Sequence, residues 1–206
     1  ELPLSVKTHL AQSTSETPKP GSDIFTNTTY EMTSSPADMI AHIVQQTTAL
    51  NCRVHSLGAD VEGEASNVGR EHAELAFSDA QTTDTGTLIV SGGETTVTIP
   101  DHISGGRGGR NCEYLLSLAI ELDGKPGIWA IAADTDGIDG SEDNAGVISG
   151  SDTLVRAKAA SLDTAACLSN NDGYTFFSKL GDLVMTGPTL TNINDFRAIL
   201  ITPPAS

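Results

Sequence analysis

Apolar residues along this chain follow two rhythms that alternate: short unbroken runs, and stripes spaced three and four residues apart. The runs Thr87-Leu88-Ile89-Val90 and Gly127-Ile128-Trp129-Ala130-Ile131-Ala132-Ala133 suit strands in the middle of a sheet covered on both faces. Shorter strands are expected at 24–32, 52–57, 95–99, 183–185 and 196–201. Ser35 reads as an N-cap with Pro36 at the first helical position, opening a helix through residue 49 with Met39, Ile40, Ile43 and Val44 on one face. A second helix spans 64–77, with Val68, Leu75 and Ala76 inward. Others follow at 111–122, 152–160, 163–168 and 174–180.

Strands alternating with helices predict an α/β fold, a three-layer α/β/α sandwich on a mixed, mainly parallel sheet. Residues 1–22, rich in Ser, Thr, Pro and Glu, read as a linker or the remnant of an upstream domain. Residues 23–84 read as a βαβα segment and 85–206 as a second α/β domain. No internal repeat is visible. The start lacks both an initiator Met and the order of a signal peptide, so a fragment or processed product is expected.

Charge narrows the classes. A formal net charge of -16 argues against binding nucleic acid or an acidic membrane surface, and no apolar run approaches the roughly 20 residues of a membrane span. Cys52, Cys112 and Cys167 are odd in number and widely spaced, which fits a reducing compartment such as the cytoplasm. Against this acidic background the stretch Gly105-Gly106-Arg107-Gly108-Gly109-Arg110-Asn111-Cys112-Glu113 stands out. Glycines allow close approach, a helix start offers unpaired N–H groups, and arginine supplies a fork for carboxylate or phosphate. An anion-holding loop is the first expectation; the bland alternative is a hairpin tip with solvated arginines.

Three further loops follow apolar strands: Ser91-Gly92-Gly93-Glu94, 134–143 and 186–195. Ligands of open α/β sheets bind beyond the strand ends, so all four loops are expected to converge. Neither nucleotide pattern fits the arginine loop. A dinucleotide fingerprint needs glycine where Asn111 stands, and no Gly-Lys-Ser/Thr triplet occurs. An EF-hand started at Asp134 fails at Ile138, Asp139 and Ala145. Asp134 and Asp136 stay open as magnesium–phosphate ligands, against the reading of an Asp-rich turn bonded to its own backbone. His9, His42, His55, His72 and His102 show no metal spacing and read mostly as surface residues; Cys112 reads as a packed small residue.

The loops in this order resemble the glycerate kinases of the second type, whose C-terminal part is the MOFRL domain. The matching stretches are Ser91 with the residues to Val97, Gly106-Arg107-Gly108-Gly109-Arg110-Asn111, Ala133 with the residues to Gly140, Asn171-Asp172, and Thr186-Gly187-Pro188-Thr189 with Thr191-Asn192. Upstream, Glu16-Thr17-Pro18-Lys19-Pro20-Gly21 and 57–65 also match. The resemblance implies ATP-dependent phosphorylation of D-glycerate at its 2-hydroxyl with Mg²⁺, in a cleft completed by an N-terminal domain. It places 85–206 as the MOFRL-like domain. By resemblance Arg110 holds the carboxylate or moving phosphoryl group, and Asp136 faces the substrate hydroxyl or the metal. Gly92, Gly93, Glu94, Arg107, Gly108, Gly109, Asn111, Thr189 and Asn192 bind substrate or phosphate. Related sequences carry the label hydroxypyruvate reductase, which the missing dinucleotide motif disfavours. A non-catalytic ligand-binding domain is the third reading, and homo-oligomerisation is left open. Departures from the family stand at Leu190, where glycine is expected, at Cys112 and at Gly173.

Overall fold

A computed structural model describes residues 2–12, 16–82, 85–100 and 106–203. The chain divides into two compact units, Glu1–Thr33 and Ser34–Ser206. The first holds helix α1 (Leu4–Leu10), which buries none of its residues, and a single 3-10 turn at Asp23–Phe25. The strand expected at 24–32 does not form. This unit has no other strand among its described residues, and a lone strand leaves its backbone groups without a ladder.

The second unit opens with α2 (Pro36–Ala49). Ser35 and Asp38 form a reciprocal capping box, Asp38 N donating to Ser35 Oγ at 3.2 Å and Ser35 N to Asp38 Oδ2 at 2.9 Å. Then come β1 (Arg53–Ser56), β2 (Gly63–Glu64), α3 (Ala65–Thr82), β3 (Thr87–Gly93), β4 (Thr95–Thr96), α4 (Arg110–Leu122), β5 (Ile128–Asp134), β6 (Gly146–Ser149), α5 (Thr153–Ala159), α6 (Thr164–Ser169), α7 (Gly173–Leu180), β7 (Leu183–Val184) and β8 (Asp195–Ile201). The main sheet has the order β1-β3-β8-β5-β6-β7, and β2 pairs with β4 in a small parallel ladder. The strand expected at 95–99 is thus only two residues long.

The sheet is mixed, as expected. Strands β1, β3, β5 and β7 run one way, but parallel neighbours within it are limited to β1 and β3. The C-terminal strand β8 inserts antiparallel between β3 and β5, and β6 returns antiparallel beside β5. Helices flank both faces. Side-chain alternation sends Ile89, Ile128, Ala130, Ala132, Ile199 and Ile201 toward α3 and α4. Helix α4 lies at the centre, with Tyr114, Leu115, Leu116 and Leu118 all fully buried; α6 and α7 pack on it. Helix α2 covers the opposite face over β1 and β3, leaving Trp129, Ile148 and Leu200 exposed there. Strand β1 pairs with β3 and α3 packs along α4 within the compact unit that runs from Ser34.

Candidate functional site

Strand register brings three loops to one end of the sheet. Gly93 sits opposite Asp195, and Asp195 opposite Asp134 on its other side. Arg110, the first residue of α4, reaches across this row. Its Nε donates to Asp195 Oδ2 at 2.8 Å and Oδ1 at 3.0 Å, its Nη2 to Asp134 Oδ2 at 2.6 Å, and its Nη1 lies 3.4 Å from Glu94 Oε1. The guanidinium is thus fixed on two sides and loosely paired on the third. Burial works against its charge, while Asp195, Asp134 and Glu94 outweigh that and hold its pKa above the ordinary value.

Asp195 is wholly buried and makes the anchor of a longer network. Arg197, also buried, donates from Nη2 to Asp195 Oδ2 at 2.7 Å and to Thr95 Oγ1 at 3.3 Å. Its guanidinium lies 5.3 Å from the Tyr114 ring centroid, and the Tyr114 hydroxyl pairs with His72 Nδ1 at 2.9 Å. His72 is therefore a core residue and not a surface one. Burial, with Arg197 and His55 adding, lowers its pKa to about 4. The carboxylate Asp134 moves the other way: burial first, then the charge of Asp195, push it up to about 6 against the Asp136 amide and Arg110.

The start of α4 is not an open anion site. The buried Asp139 carboxylate already accepts Asn111 N at 3.0 Å and Cys112 N at 2.9 Å, so an internal anion satisfies the helix N-terminus. Gly109 permits this: a Cβ there would fall 2.3 Å from Asp139 Oδ1. Gly93, at φ +113°, likewise lets Val61 approach, whose N and O would lie 2.3 Å from a Cβ. These glycines serve contact between loops. Asn111 is fully buried and bonds Asp139 and Asp195 through Nδ2, at 3.3 and 2.9 Å. It supports the site from behind.

Beside Arg110 lies a cavity of about 250 Å³ lined by Thr95, Val97, Gly106, Gly108, Glu113 and Asn171, with Gly109, Arg110, Ile99 and Gly140 completing it. Glu113 follows Arg110 by one helical turn and is only 5 % exposed. Burial pushes its carboxyl up to about 7; the Asn171 side chain pulls it down, and the Glu64 charge pushes it further up. Glu113 falls in the arginine stretch, and Asp139 and Asp195 in the strand-end loops, but the sequence pattern gives none of them a role, nor Arg197.

Among the sequence-predicted residues, Gly108, Gly109 and Arg110 reach this cavity. Glu94 and Asp134 reach Arg110, and Gly92 sits one residue before Gly93 on β3. Arg107 faces elsewhere: its guanidinium stacks 4.3 Å over the Tyr174 ring and pairs with Glu142. Asp136 accepts Ile138 N at 2.8 Å within its own turn, the backbone-bonded arrangement. Thr189 N donates to the Asp136 carbonyl at 2.9 Å, and Asn192 Oδ1 accepts Asn194 N at 2.9 Å, so both shape the 186–194 loop. Gly105 and His102 lie outside the described residues. Cys112 is buried as expected, burial raising its thiol pKa well above the ordinary value. A Cβ at Gly173 would lie 2.9 Å from Cys112 Cβ, so those two family departures touch each other. Leu190 adopts φ 61° and is 97 % exposed: the glycine expected there answers a left-handed backbone, and crowding is absent.

Asp134 and Asp136 do not fit a joint magnesium site. Asp134 Oδ2 is held by Arg110 and its Oδ1 accepts Asp136 N at 3.1 Å. No group of three His, Cys, Asp or Glu among the described residues is placed to hold a metal ion.

The structure is an α/β sandwich in which an arginine is clamped by carboxylates from three strand ends beside a cavity. The MOFRL family matches over residues 87–195, and the chain belongs to it. It is 46 % identical over 209 residues to an Agrobacterium vitis protein provisionally named a hydroxypyruvate reductase, covering 98 % of this chain and 45 % of the relative. It is 40 % identical over 156 residues to the D-glycerate 2-kinase of Thermotoga maritima, covering 75 % of this chain and 34 % of that one. The crystal structure of a glycerate kinase from the same organism superposes with a TM-score of 0.76 at 32 % identity, over 82 % of this chain and 41 % of that one. The chain spans less than half the length of these relatives. No helix among the described residues is long and apolar enough to cross a membrane.

Proposed function

We propose that the chain supplies one wall of a glycerate kinase active site, in which D-glycerate is phosphorylated at its 2-hydroxyl by ATP. The observation that carries this reading is Arg110, locked by Asp195 and Asp134 but paired at Nη1 only at 3.4 Å with Glu94. Phosphoryl transfer asks chiefly for positioning and for positive charge near the moving group, and a pre-oriented guanidinium provides both. Similarity to glycerate kinases over most of the chain supports it. Asp136 stands for the hydroxyl-facing carboxylate, with Gly92, Gly93, Glu94, Gly108 and Gly109 as the loops around Arg110; Asn111, Thr189 and Asn192 support these loops, and Arg107 is turned to Tyr174 and Glu142. The nucleotide belongs to the portion of the relatives that this chain does not span, since Asp139 fills the helix start here. A reducing, cytoplasmic setting fits the three free thiols.

The relative provisionally named a hydroxypyruvate reductase favours a second reading, hydride transfer to hydroxypyruvate. The two separate in one experiment on the protein carrying the relatives' remaining half. The kinase reading expects ADP release dependent on D-glycerate, reduced at least about a hundredfold in Arg110→Ala. Oxidation of NAD(P)H by hydroxypyruvate without ADP release, or full kinase activity in Arg110→Ala, overturns it.

A further inference from the structure

The cavity beside Arg110 holds a feature that the loops around the arginine do not explain. Glu113 lines it with a carboxyl that is 5 % exposed and accepts from the Asn171 side-chain amide. Asn171, which lines the same cavity, has a buried Oδ1 with no hydrogen-bond partner among the described residues. A buried acceptor left without a donor is costly, so Asn171 Oδ1 stands ready to receive one. Val97 and Ile99 close one side, and Gly106, Gly108 and Gly140 keep the walls free of side chains. The charged groups facing Glu113 are Glu64 across the β2–β4 ladder and Arg110 one turn earlier on α4. Glu64 is itself tied down by Thr98, whose N and Oγ1 donate to it at 3.0 and 2.8 Å.

We propose that Glu113 and Asn171 form a hydroxyl-binding subsite, in which a small hydroxy acid donates its O–H to the Glu113 carboxyl or to the open Asn171 Oδ1 while its anionic end meets Arg110 Nη1. An ammonium group suits the place less well, because Arg110 stands at the same cavity and would repel it. The choice of hydroxy acid rests on the kinase reading; the donor requirement rests on the cavity alone. The subsite binds substrate through this chain, so it is open to test without turnover.

The test is a ¹H–¹⁵N titration of the 206-residue chain with D-glycerate, and with propionate, which has the acid but no hydroxyl. D-glycerate is expected to shift the Asn171 side-chain amide and the amides of 106–109 saturably, and propionate to leave Asn171 unmoved. Glu113→Gln, with a dispersed spectrum showing that it folds, weakens D-glycerate about tenfold, the effect of losing a charged acceptor. Equal shifts from both acids, no shift at Asn171, or unchanged affinity in Glu113→Gln overturns the subsite. If Glu113→Gln does not fold, the comparison of the two acids on the unsubstituted chain decides. An Asn171 shift in a protein that releases no ADP with D-glycerate removes the kinase reading and leaves the subsite standing.

Discussion

Replacing Glu113 by Gln tests the buried carboxyl through stability alone. The folded chain holds this group's pKa up at about 7, against 4.5 when unfolded, because burial penalises its ionised form. Between those values the folded state binds more protons than the unfolded one, so stability falls as pH rises through the window. Integrating the linkage gives a loss of about 2.5 kcal/mol between pH 5 and pH 8 from this group. Glutamine has nearly the same shape and no charge. Urea denaturation at both pH values, on both proteins, isolates the effect. His72, lowered to about 4, loses stability as pH falls below its unfolded value, and Asp134, raised to about 6, loses it as pH rises. Both contributions are common to the two proteins and cancel in the difference between them. Glu113→Gln should gain about 2.5 kcal/mol more over the unsubstituted chain at pH 8 than at pH 5. An equal change at both pH values refutes the reasoning, since it would mean the carboxyl titrates as it does in the unfolded chain.

Leu190→Gly should raise stability by about 1 kcal/mol in urea, because it relieves a left-handed backbone and removes a side chain that buries nothing; a loss would show that Leu190 is held by a contact. Asp195→Asn should lower the unfolding free energy by about 3–5 kcal/mol, since it strips a buried charge from both Arg110 and Arg197; a drop under 1 kcal/mol would mean that the two arginines find other partners. Glu94→Gln should tighten binding of inorganic phosphate roughly twofold to fivefold by calorimetry, because it removes the carboxylate that competes for Arg110 Nη1; weaker binding would place the anion elsewhere.

Elements with strong local signals were legible in the sequence. The Ser35–Pro36 start of α2 and the apolar runs of β3 and β5 follow from residues adjacent in the chain, and so does the central helix α4. The meeting of the strand-end loops was also legible, since Glu94, Asp134 and Asp195 do converge on Arg110. The role of the glycines was not. Whether Gly109 admits a ligand or the Asp139 side chain depends on a partner thirty residues away. Asp195 and Arg197 were missed because their partners are tertiary: Arg110 is 85 residues before Asp195 in sequence. One signal was available. A period of two puts Asp195 and Arg197 on the same strand face as Ile199 and Ile201, and charges in line with a core stripe must be buried and paired. The absent strand at 24–32 shows the converse: β-forming residues make no strand where no edge is offered.

The acidity around Arg110 bears on how the site would take an anion. Three carboxylates surround one guanidinium, so the pocket has no surplus of positive charge to draw a ligand in. Two of them, Asp134 and Asp195, are buried and fix the orientation of the fork. The third, Glu94, is 59 % exposed and sits at the longest of the three distances. A substrate carboxylate or phosphoryl oxygen arriving at Nη1 can displace Glu94 into solvent and take its place. For a carboxylate the local charge count is then unchanged, and the guanidinium need not turn. The dipoles that act on a reacting group are then already oriented, which is the condition under which electrostatic stabilisation costs no reorganisation. On this argument Glu94 is a stand-in for the ligand: it keeps Arg110 satisfied when the site is empty and yields when an anion of better geometry arrives.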